Sequence, residues 1–273
     1  MVHGRITRRQ TRHVIGKSMK TLTTHIRVIL ALVLRESRVR HGRSKAGYTW
    51  AIVEPVLQIT ILTILFREFR GGSDGSGAEF ALFFATGVLS FNMFRNTAAY
   101  IMNAFEANRA LFNYPMVKPI DAVLARLVLD LATNILVMAI VLGFQITFMD
   151  VPPPEHVPLM ALPLALLALM ALGAGLSLAV IKRFLPSAQN LYHIIMGPAF
   201  FVSCIFFSLS SIPTQYRMIL WWNPLVHGVE GFRVGYFADY SAPDINLLYL
   251  FTWVCCLNFF GFVGEWLTRF KTT

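Results

Sequence analysis

The chain has 273 residues, of which 56% are hydrophobic and 14% are charged. Because an average soluble domain carries about 25% charged residues, this composition excludes a pair of soluble domains and predicts a single all-α integral membrane protein. A formal net charge of +10 would indicate nucleic-acid binding in a soluble protein, but half of the 24 Lys and Arg residues lie in residues 1–47. We therefore expect the basic block to meet the membrane surface, and we expect no nucleic-acid partner.

Residues 1–47 form a basic N-terminus without the pattern of a cleavable signal peptide. Within it, apolar residues recur at three- and four-residue spacing from Leu22 to Leu34, with Arg27, Arg35 and Arg38 among or just after them. This pattern predicts an amphipathic helix over residues 22–40 that lies in the cytoplasmic interface of the membrane. A basic signal that only fixes orientation is the alternative, and both roles can hold together.

Six later segments are long and apolar enough to cross a bilayer core of about 30 Å, which takes roughly 20 helical residues. They make residues 48–273 a six-span transmembrane domain, with spans over residues 48–66, 80–101, 124–148, 157–181, 191–209 and 245–267. With the N-terminus inside, 18 Lys and Arg residues fall on the cytoplasmic side and 4 fall outside. This excess predicts that both termini are cytoplasmic.

The second span carries a polar stripe of Asn92, Arg95 and Asn96, with Tyr100 beside it. Polar and charged residues within a span face the interior of a helix bundle or a water-filled path. These four residues are therefore candidates for the wall of a channel, and hydrogen bonding between helices is the alternative.

The fourth span has no charged residue over 157–181 and carries Gly173 and Ser177 one turn apart. A pair of small residues at this spacing lets another helix approach closely. We expect a close helix contact at this point.

The segment over residues 211–238 is too polar to span the membrane and too apolar for a solvated loop. An Arg such as Arg233 costs about 2.5–3.5 kcal/mol near the centre of a spanning helix, and Pro224 interrupts an ordinary helix. The sequence therefore predicts a re-entrant helical hairpin before the last span, with two short helices that meet near Asn223 and Pro224 and are covered by protein. A gate at the periplasmic mouth and a purely structural hairpin are the two interpretations.

Five residues of this hairpin are candidates for the gate: Trp221, Trp222, His227, Glu230 and Arg233. Trp commonly anchors a segment at the membrane interface, and the three-residue spacing of Glu230 and Arg233 suits an ion pair on one helix face. A catalytic or metal site is less favoured, because zinc sites on helices use a second His and a third ligand.

No segment indicates a cofactor. Residues 11–18, TRHVIGKS, end like a phosphate-binding loop but lack its first glycine and a preceding strand. The three cysteines lie in apolar runs and form no CxxC or Cys/His cluster. We expect no cofactor and no metal in this chain, so ATP and magnesium for active transport would bind a separate subunit.

Two motifs resemble a known family. The stretch RHGRSKAGYTWAIVEPVLQ at residues 40–58 and the stretch WNPLVHGVEGFR at residues 222–233 resemble the membrane subunits, or permeases, of ABC exporters for capsular polysaccharide and O-antigen. The six-span layout agrees with this family, and the lack of long soluble inserts favours its capsule-export branch.

The resemblance implies a function and partners. Two copies of such a permease form a channel, two ATPase subunits bind below it, and the substrate is a lipid-linked polysaccharide in the inner membrane of a Gram-negative bacterium. A periplasmic co-polymerase and an outer-membrane polysaccharide export protein continue the route. We expect this chain to be such a transport subunit rather than an enzyme.

The resemblance also implies a coupling helix that docks on the ATPase between the second and third spans. Residues 104–114 fill this place, with apolar anchors and polar contacts at Phe105, Glu106, Arg109, Leu111 and Phe112; a bland connecting loop is the alternative. Two other functions stay open, namely an ABC permease for a lipid or a drug, and a membrane glycosyl- or acyltransferase.

Overall fold

The computed structural model describes residues 25, 27–39, 46–69, 77–114 and 116–268. These residues form helices and turns, with no strand among them, which agrees with the predicted all-α class. Residues 1–24, both ends of the predicted interface helix and the C-terminal residues 269–273 lie outside the described residues.

The helices are numbered in chain order. They are α1 (27–39), α2 (Ala46–Phe69), α3 (Gly77–Met102), α4 (Ala104–Ala107), α5 (Pro119–Phe148), α6 (Val157–Phe184), α7 (Ala188–Phe201), α8 (Thr214–Trp221), α9 (Pro224–Tyr236) and α10 (Leu247–Thr268). Two short 3₁₀ turns, Arg109–Asn113 and Leu209–Ser211, follow α4 and precede α8.

Five of the described helices, α2, α3, α5, α6 and α10, are long and apolar enough to cross a membrane. They coincide with the predicted first, second, third, fourth and sixth spans, which supports a multi-span membrane protein. The predicted fifth span over residues 191–209 differs, because α7 ends at Phe201 and residues 202–208 are not helical. The 14 residues of α7 extend about 21 Å, which is short of a core of about 30 Å.

Helix α6 lies at the centre of the bundle and packs against α3, α9 and α10. A Cβ atom at Gly173 would lie only 2.5 Å from the backbone nitrogen of Asn258, so the two backbones come together at this glycine. Ser177 donates a hydrogen bond to the carbonyl of Leu257 at 3.2 Å, and Asn258 donates one to the carbonyl of Leu169 at 2.8 Å. The close helix contact expected at Gly173 and Ser177 is confirmed, and α10 is the partner helix.

Helix α1 contacts the bundle through one face. Leu32 and Glu36 are buried, and Glu36 forms a buried ion pair with Arg126 of α5. Arg35 donates a hydrogen bond to the side chain of Asn108 at 2.7 Å. Leu30 and Leu34 are exposed on the opposite face, and Val39 is exposed at the C-terminal end of the helix. Polar contacts as well as apolar ones thus hold the described part of the helix to the bundle.

Candidate functional sites

A polar cleft of about 440 Å³ opens between α2, α3, α5 and α7. Three of the four candidates for the channel wall, Asn92, Asn96 and Tyr100, line it. Further polar side chains come from the other three helices and from the end of α3: Glu54, Asn103, Asp130, Asn134 and His193. The stripe predicted on one helix is therefore one wall of a four-helix cavity.

Asn92 has an unsatisfied acceptor in this cleft. The residue is 4% exposed, and its side-chain amide donates to Gln58 of α2 at 3.0 Å. Its Oδ1 has no hydrogen-bond partner among the described residues. Because leaving such an acceptor unpaired costs about 1–3 kcal/mol, this oxygen is suited to accept a bond from the hydroxyl or N–H group of a ligand.

Arg95 is at the edge of the cleft. Its guanidinium pairs with Glu54 of α2 at 2.9 Å, and the two side chains are 26% and 47% exposed. Arg95 Nε also donates to the side chain of Asn96 at 3.2 Å. Since Glu54 lines the cleft, a charged ligand that enters there would compete for one member of this half-exposed ion pair.

The non-helical segment after α7 is held by Arg233 of α9, which is fully buried. Its guanidinium donates hydrogen bonds to the carbonyls of Cys204 and Ile205, the latter at 2.9 Å, and to the carbonyl of Phe83 at 3.2 Å. The guanidinium carbon also lies 3.7 Å from the centre of the Phe83 ring. A Cβ atom at Gly87 would lie 2.6 Å from Arg233 Nη2, so only a glycine of α3 leaves room for this arrangement.

Asn223 adds a second link to the same segment. Its side-chain amide donates to the carbonyl of Val202 at 3.2 Å and to the Ser203 hydroxyl at 3.1 Å. Its Oδ1 accepts from the backbone N–H of Leu225 at 3.1 Å and so caps α9, while Pro224 occupies the first helical position, where its missing N–H costs nothing. One residue thus starts α9 and fixes it to the end of α7.

Glu230 balances the buried charge of Arg233. Both side chains have 0% exposure, and Arg233 Nη1 lies 3.0 Å from Glu230 Oε1. The hydroxyl of Tyr240 donates to the carboxylate at 2.9 Å, and that of Ser208 lies at 3.4 Å. Burial first, and then the carboxylate, raise the pKa of Tyr240 above its usual range, so its hydroxyl keeps its proton at neutral pH. The expected ion pair is present and is satisfied within one chain.

His227 is fully buried against the stacked rings of Trp221 and Tyr249. It meets both rings nearly at right angles, with centre-to-centre distances of 5.2 and 5.1 Å. With the proton on Nε2, the ring donates to the carbonyl of Trp221 at 2.9 Å and Nδ1 accepts from the N–H of Asn246 at 3.2 Å. Both nitrogens then have partners in the protein, which leaves neither for a metal.

The five gate candidates therefore fall into two groups. His227, Glu230 and Arg233 bind protein groups in the interior, and Trp221 Nε1 donates to the carbonyl of Asp244 at 2.9 Å. Only Trp222 of the five is largely exposed, at 65%. These contacts make α8, α9 and the segment after α7 one unit, and they favour the structural interpretation for the three buried side chains themselves.

The predicted coupling segment is α4 followed by a 3₁₀ turn rather than one helix. Phe105 is 8% exposed and packs against the guanidinium of Arg183 at 4.3 Å. Glu106 pairs with Lys182 at 2.7 Å. These two predicted docking residues thus hold the segment to the end of α6.

The remaining three predicted contacts lie on the 3₁₀ turn. Arg109 is exposed, and Leu111 and Phe112 are half-buried. Lys182 also donates to the side chains of Asn103 and of Gln189 on α7, at 2.6 and 2.8 Å. The outward surface of the segment is therefore the turn, and Lys182 ties the segment to α6 and α7.

Sequence reasoning missed several residues of these sites, among them Glu54, His193 and Tyr240. Glu54 and His193 had a usable signal, since both are ionisable residues within predicted spans. Tyr240 had none, because its role depends on a neighbour across the fold.

The fold and its sites define a class: a multi-span helical membrane protein with a polar cleft at the depth of its spans and a buried ion pair that fixes a helical hairpin. The chain belongs to the ABC-2 type transporter family, whose model matches residues 27–237. The match covers the polar cleft, the coupling segment and the hairpin through α9.

Three relatives match most of their own length. The chain is 37% identical over 233 residues to the polysialic acid transport protein KpsM of Escherichia coli, covering 85% of this chain and 89% of that one. It is 30% identical over 220 residues to the capsule polysaccharide export inner-membrane protein BexB of Haemophilus influenzae, covering 81% and 83%. It is 28% identical over 232 residues to the capsule polysaccharide export inner-membrane protein CtrC of Neisseria meningitidis serogroup A, covering 85% and 87%.

Membership of this family confirms the resemblance that the two motifs indicated. It makes the chain the membrane subunit of a transporter, and the alternative of a membrane glycosyl- or acyltransferase is not supported.

Proposed function

We propose that this protein is the permease subunit of an ATP-driven ABC exporter that moves lipid-linked capsular polysaccharide across the inner membrane of a Gram-negative bacterium. The observation that carries the proposal is the similarity, along most of both chains, to KpsM, BexB and CtrC, which are named for the transport of polysialic acid or capsule polysaccharide. Nothing comparable favours a lipid or a drug as the substrate.

The chain crosses the membrane six times, with both termini in the cytoplasm. The five long helices and the excess of Lys and Arg on one side support this arrangement. Helix α7 and residues 202–208 together make the fifth crossing, because the helix alone is too short. The non-helical part is tolerated at this depth because Asn223 and Arg233 bind its carbonyl groups.

Helix α1 lies in the cytoplasmic interface, and α8 with α9 forms a re-entrant hairpin from the periplasmic side. The support for re-entrance is that Glu230 and Arg233 are fully buried and paired, which lets a charged segment sit at membrane depth. The hairpin acts as a gate by moving together with the end of α7, rather than by presenting its buried side chains to the substrate.

The polar cleft contacts the polysaccharide, and two copies of the chain place two clefts along one channel. Asn92 and Asn96 offer amide groups to sugar hydroxyls, Tyr100 extends this wall, and Trp50, which is 64% exposed at the cleft, offers a ring face. Arg95 pairs with Glu54 at the rim, and an acidic group of the polysaccharide replaces that carboxylate as the partner of the guanidinium.

Two copies of a separate ATPase bind the coupling segment, and they hold the ATP and magnesium. Arg109, Leu111 and Phe112 make the contact, and Lys182 transmits movement of the segment to α7 through its bonds to Glu106 and Gln189. A periplasmic co-polymerase and an outer-membrane polysaccharide export protein receive the product.

Deletion of the gene in a capsule-producing host tests the proposed function. We expect surface polysaccharide to be lost while the same polysaccharide accumulates inside the cell, and both effects to be reversed by the wild-type gene on a plasmid. An ATPase variant that cannot hydrolyse ATP should give the same phenotype. Unchanged surface polysaccharide in the deletion strain would contradict the proposal.

Variants of the cleft test whether this cavity contacts the substrate. Asn92→Leu removes one hydrogen-bond acceptor. It should reduce export about fivefold, because the net free energy of one hydrogen bond, about 1 kcal/mol, corresponds to that ratio. Arg95→Gln should also reduce export, whereas Arg95→Lys should retain it. Thr147→Val, on the exposed side of α5, is the matched control. If all four variants reach wild-type levels in the membrane and export equally well, the cleft is not the path.

A further inference from the structure

A second cavity is a groove of about 350 Å³ between α2, α3 and α5. It shares no lining residue with the polar cleft. Its walls include Val56 and Ile64 of α2 and Ile140 and Phe144 of α5, and these four side chains are 40–59% exposed. Because all four are apolar and lie within helices that can span the membrane, the groove opens toward lipid rather than toward water, unlike the polar cleft.

The groove runs along the membrane normal. Its wall on α2 extends from Ile52 to Ile64, which is about 18 Å of helix and more than half of a hydrocarbon core of about 30 Å. Its other wall reaches Gln145 and Met149, at the end of α5. In the proposed orientation this end lies at the periplasmic interface, at the depth of the lipid head groups.

One polar group interrupts the apolar lining near that end. Gln145 is 4% exposed, and its Oε1 has no hydrogen-bond partner among the described residues. The hydroxyls of Thr60 and Thr63 also line the groove, but they donate to the carbonyls of Val56 and Ile59 in their own helix, at 2.8 Å each. An unpaired amide oxygen is costly in hydrocarbon, so the groove fits a ligand that has a hydrogen-bond donor at one end and an apolar chain behind it.

We propose that this groove binds one acyl chain of a bilayer phospholipid whose head group carries an N–H donor, as in phosphatidylethanolamine. The head group donates to Gln145 Oε1, and the chain lies between α2 and α5. The lipid thereby fills a gap beside α2. Only 11% of residues Thr49–Phe66 in this helix are buried. This site depends on insertion in a membrane and on the orientation proposed above, and not on which polysaccharide is exported.

Photolabelling tests the position of the lipid. The full chain is reconstituted with its ATPase in vesicles that contain phosphatidylethanolamine with a diazirine in one acyl chain, and adducts are mapped by mass spectrometry. We expect adducts at Val56, Ile140 and Phe144 several-fold above those at Ile61 and Leu136, which are exposed on the same helices outside the groove. Equal labelling of the two faces overturns the proposal, as does crosslinking that shows a second protein chain in the groove.

Competition tests the head group. Excess unlabelled phosphatidylethanolamine should displace the probe about fivefold better than phosphatidylcholine, which has no N–H or O–H donor, because one hydrogen bond separates them. Gln145→Leu should remove this preference. Val56→Trp should fill the groove and reduce labelling there, whereas Ile61→Trp, outside the groove, should not. If Val56→Trp accumulates poorly, Ile140→Trp takes its place. No preference in the wild type, or a preference that survives Gln145→Leu, overturns the proposal.

Discussion

Replacing Arg233 with methionine tests whether this buried side chain holds the segment after α7. Methionine fills much of the same space but leaves the Glu230 carboxylate without its cation and the carbonyls of Cys204 and Ile205 without the guanidinium donor. The carbonyl of Phe83 also loses this donor but keeps its bond from the Thr86 hydroxyl at 2.8 Å. Arg217 of α8 is a matched control, since it also binds one carboxylate and two carbonyls. The difference is burial, because Arg217 and its partner Asp244 are 23% and 35% exposed.

Burial decides the size of the effect. Removing one member of a fully buried ion pair costs about 3–5 kcal/mol, whereas an exposed pair contributes about 0–1 kcal/mol. Since each 1.4 kcal/mol is a factor of ten, Arg233→Met should raise the population of the locally opened state by roughly 100- to 4,000-fold. Arg217→Met should raise it by about fivefold or less.

Cys204 is a reporter of this opening. It is fully buried beside Arg233, and the other two of the three cysteines, Cys255 and Cys256, are exposed on α10. In a Cys255→Ala, Cys256→Ala background, the rate at which a maleimide labels Cys204 reports the open population when closing is faster than labelling.

The refuting result is a labelling rate for Arg233→Met that is less than tenfold above wild type or equal to that of Arg217→Met. Glu230→Gln extends the test if Arg233→Met gives too little protein, because it removes the charge, keeps the shape and should give an intermediate rate. If the rate in the wild type also changes when the ATPase is trapped with ATP, the unit moves during transport, as a gate requires.

Two further predictions concern packing and coupling. Gly235→Ala should sharply reduce folded protein and lower the midpoint of thermal unfolding, because the new Cβ would lie 2.4 Å from the backbone nitrogen of Met160 and overpacking costs typically 1–3 kcal/mol or more. Gly143→Ala is the control and should leave the midpoint unchanged, since no atom lies within 4 Å of its Cβ. Equal midpoints for the two variants would contradict the packing argument. Arg109→Glu on the exposed 3₁₀ turn should weaken co-purification of the ATPase, most clearly at low salt, because a charge at an interface rim changes the association rate and its salt dependence. Glu155→Arg on the opposite side should not weaken it. Equal recovery of the ATPase with both variants would remove the turn from the docking surface.

Several features of this protein are decided by the sequence alone because their causes are local. Five spanning helices follow from runs of apolar residues, since the bilayer demands only length and hydrophobicity. The pair of Glu230 and Arg233 and the close contact at Gly173 follow from spacing along one helix. The break between α8 and α9 follows from Asn223 and Pro224, which cap and start a helix by their own chemistry.

The polar cleft is only partly visible in the sequence. The stripe of Asn92, Asn96 and Tyr100 indicates a wall, but the cavity exists because α2, α5 and α7 place Glu54 and His193 opposite it. The same limit applies to the unpaired oxygens of Asn92 and Gln145, because whether an amide is satisfied depends on its neighbours in space.

The course of the chain after α7 was decided by tertiary structure. Pro198 weakens the last turn of α7 locally, but residues 202–208 continue the apolar run, and no local signal sets their path. Cys204 has a positive φ of 57°, a conformation that costs a non-glycine residue about 1–2 kcal/mol. The cost is offset because Arg233 and Asn223, some 20 to 30 positions further along the chain, donate to the carbonyls that the missing helical turn leaves open. A helix persists in a membrane when no other donor can satisfy its backbone, and only the folded chain brings such donors to this segment.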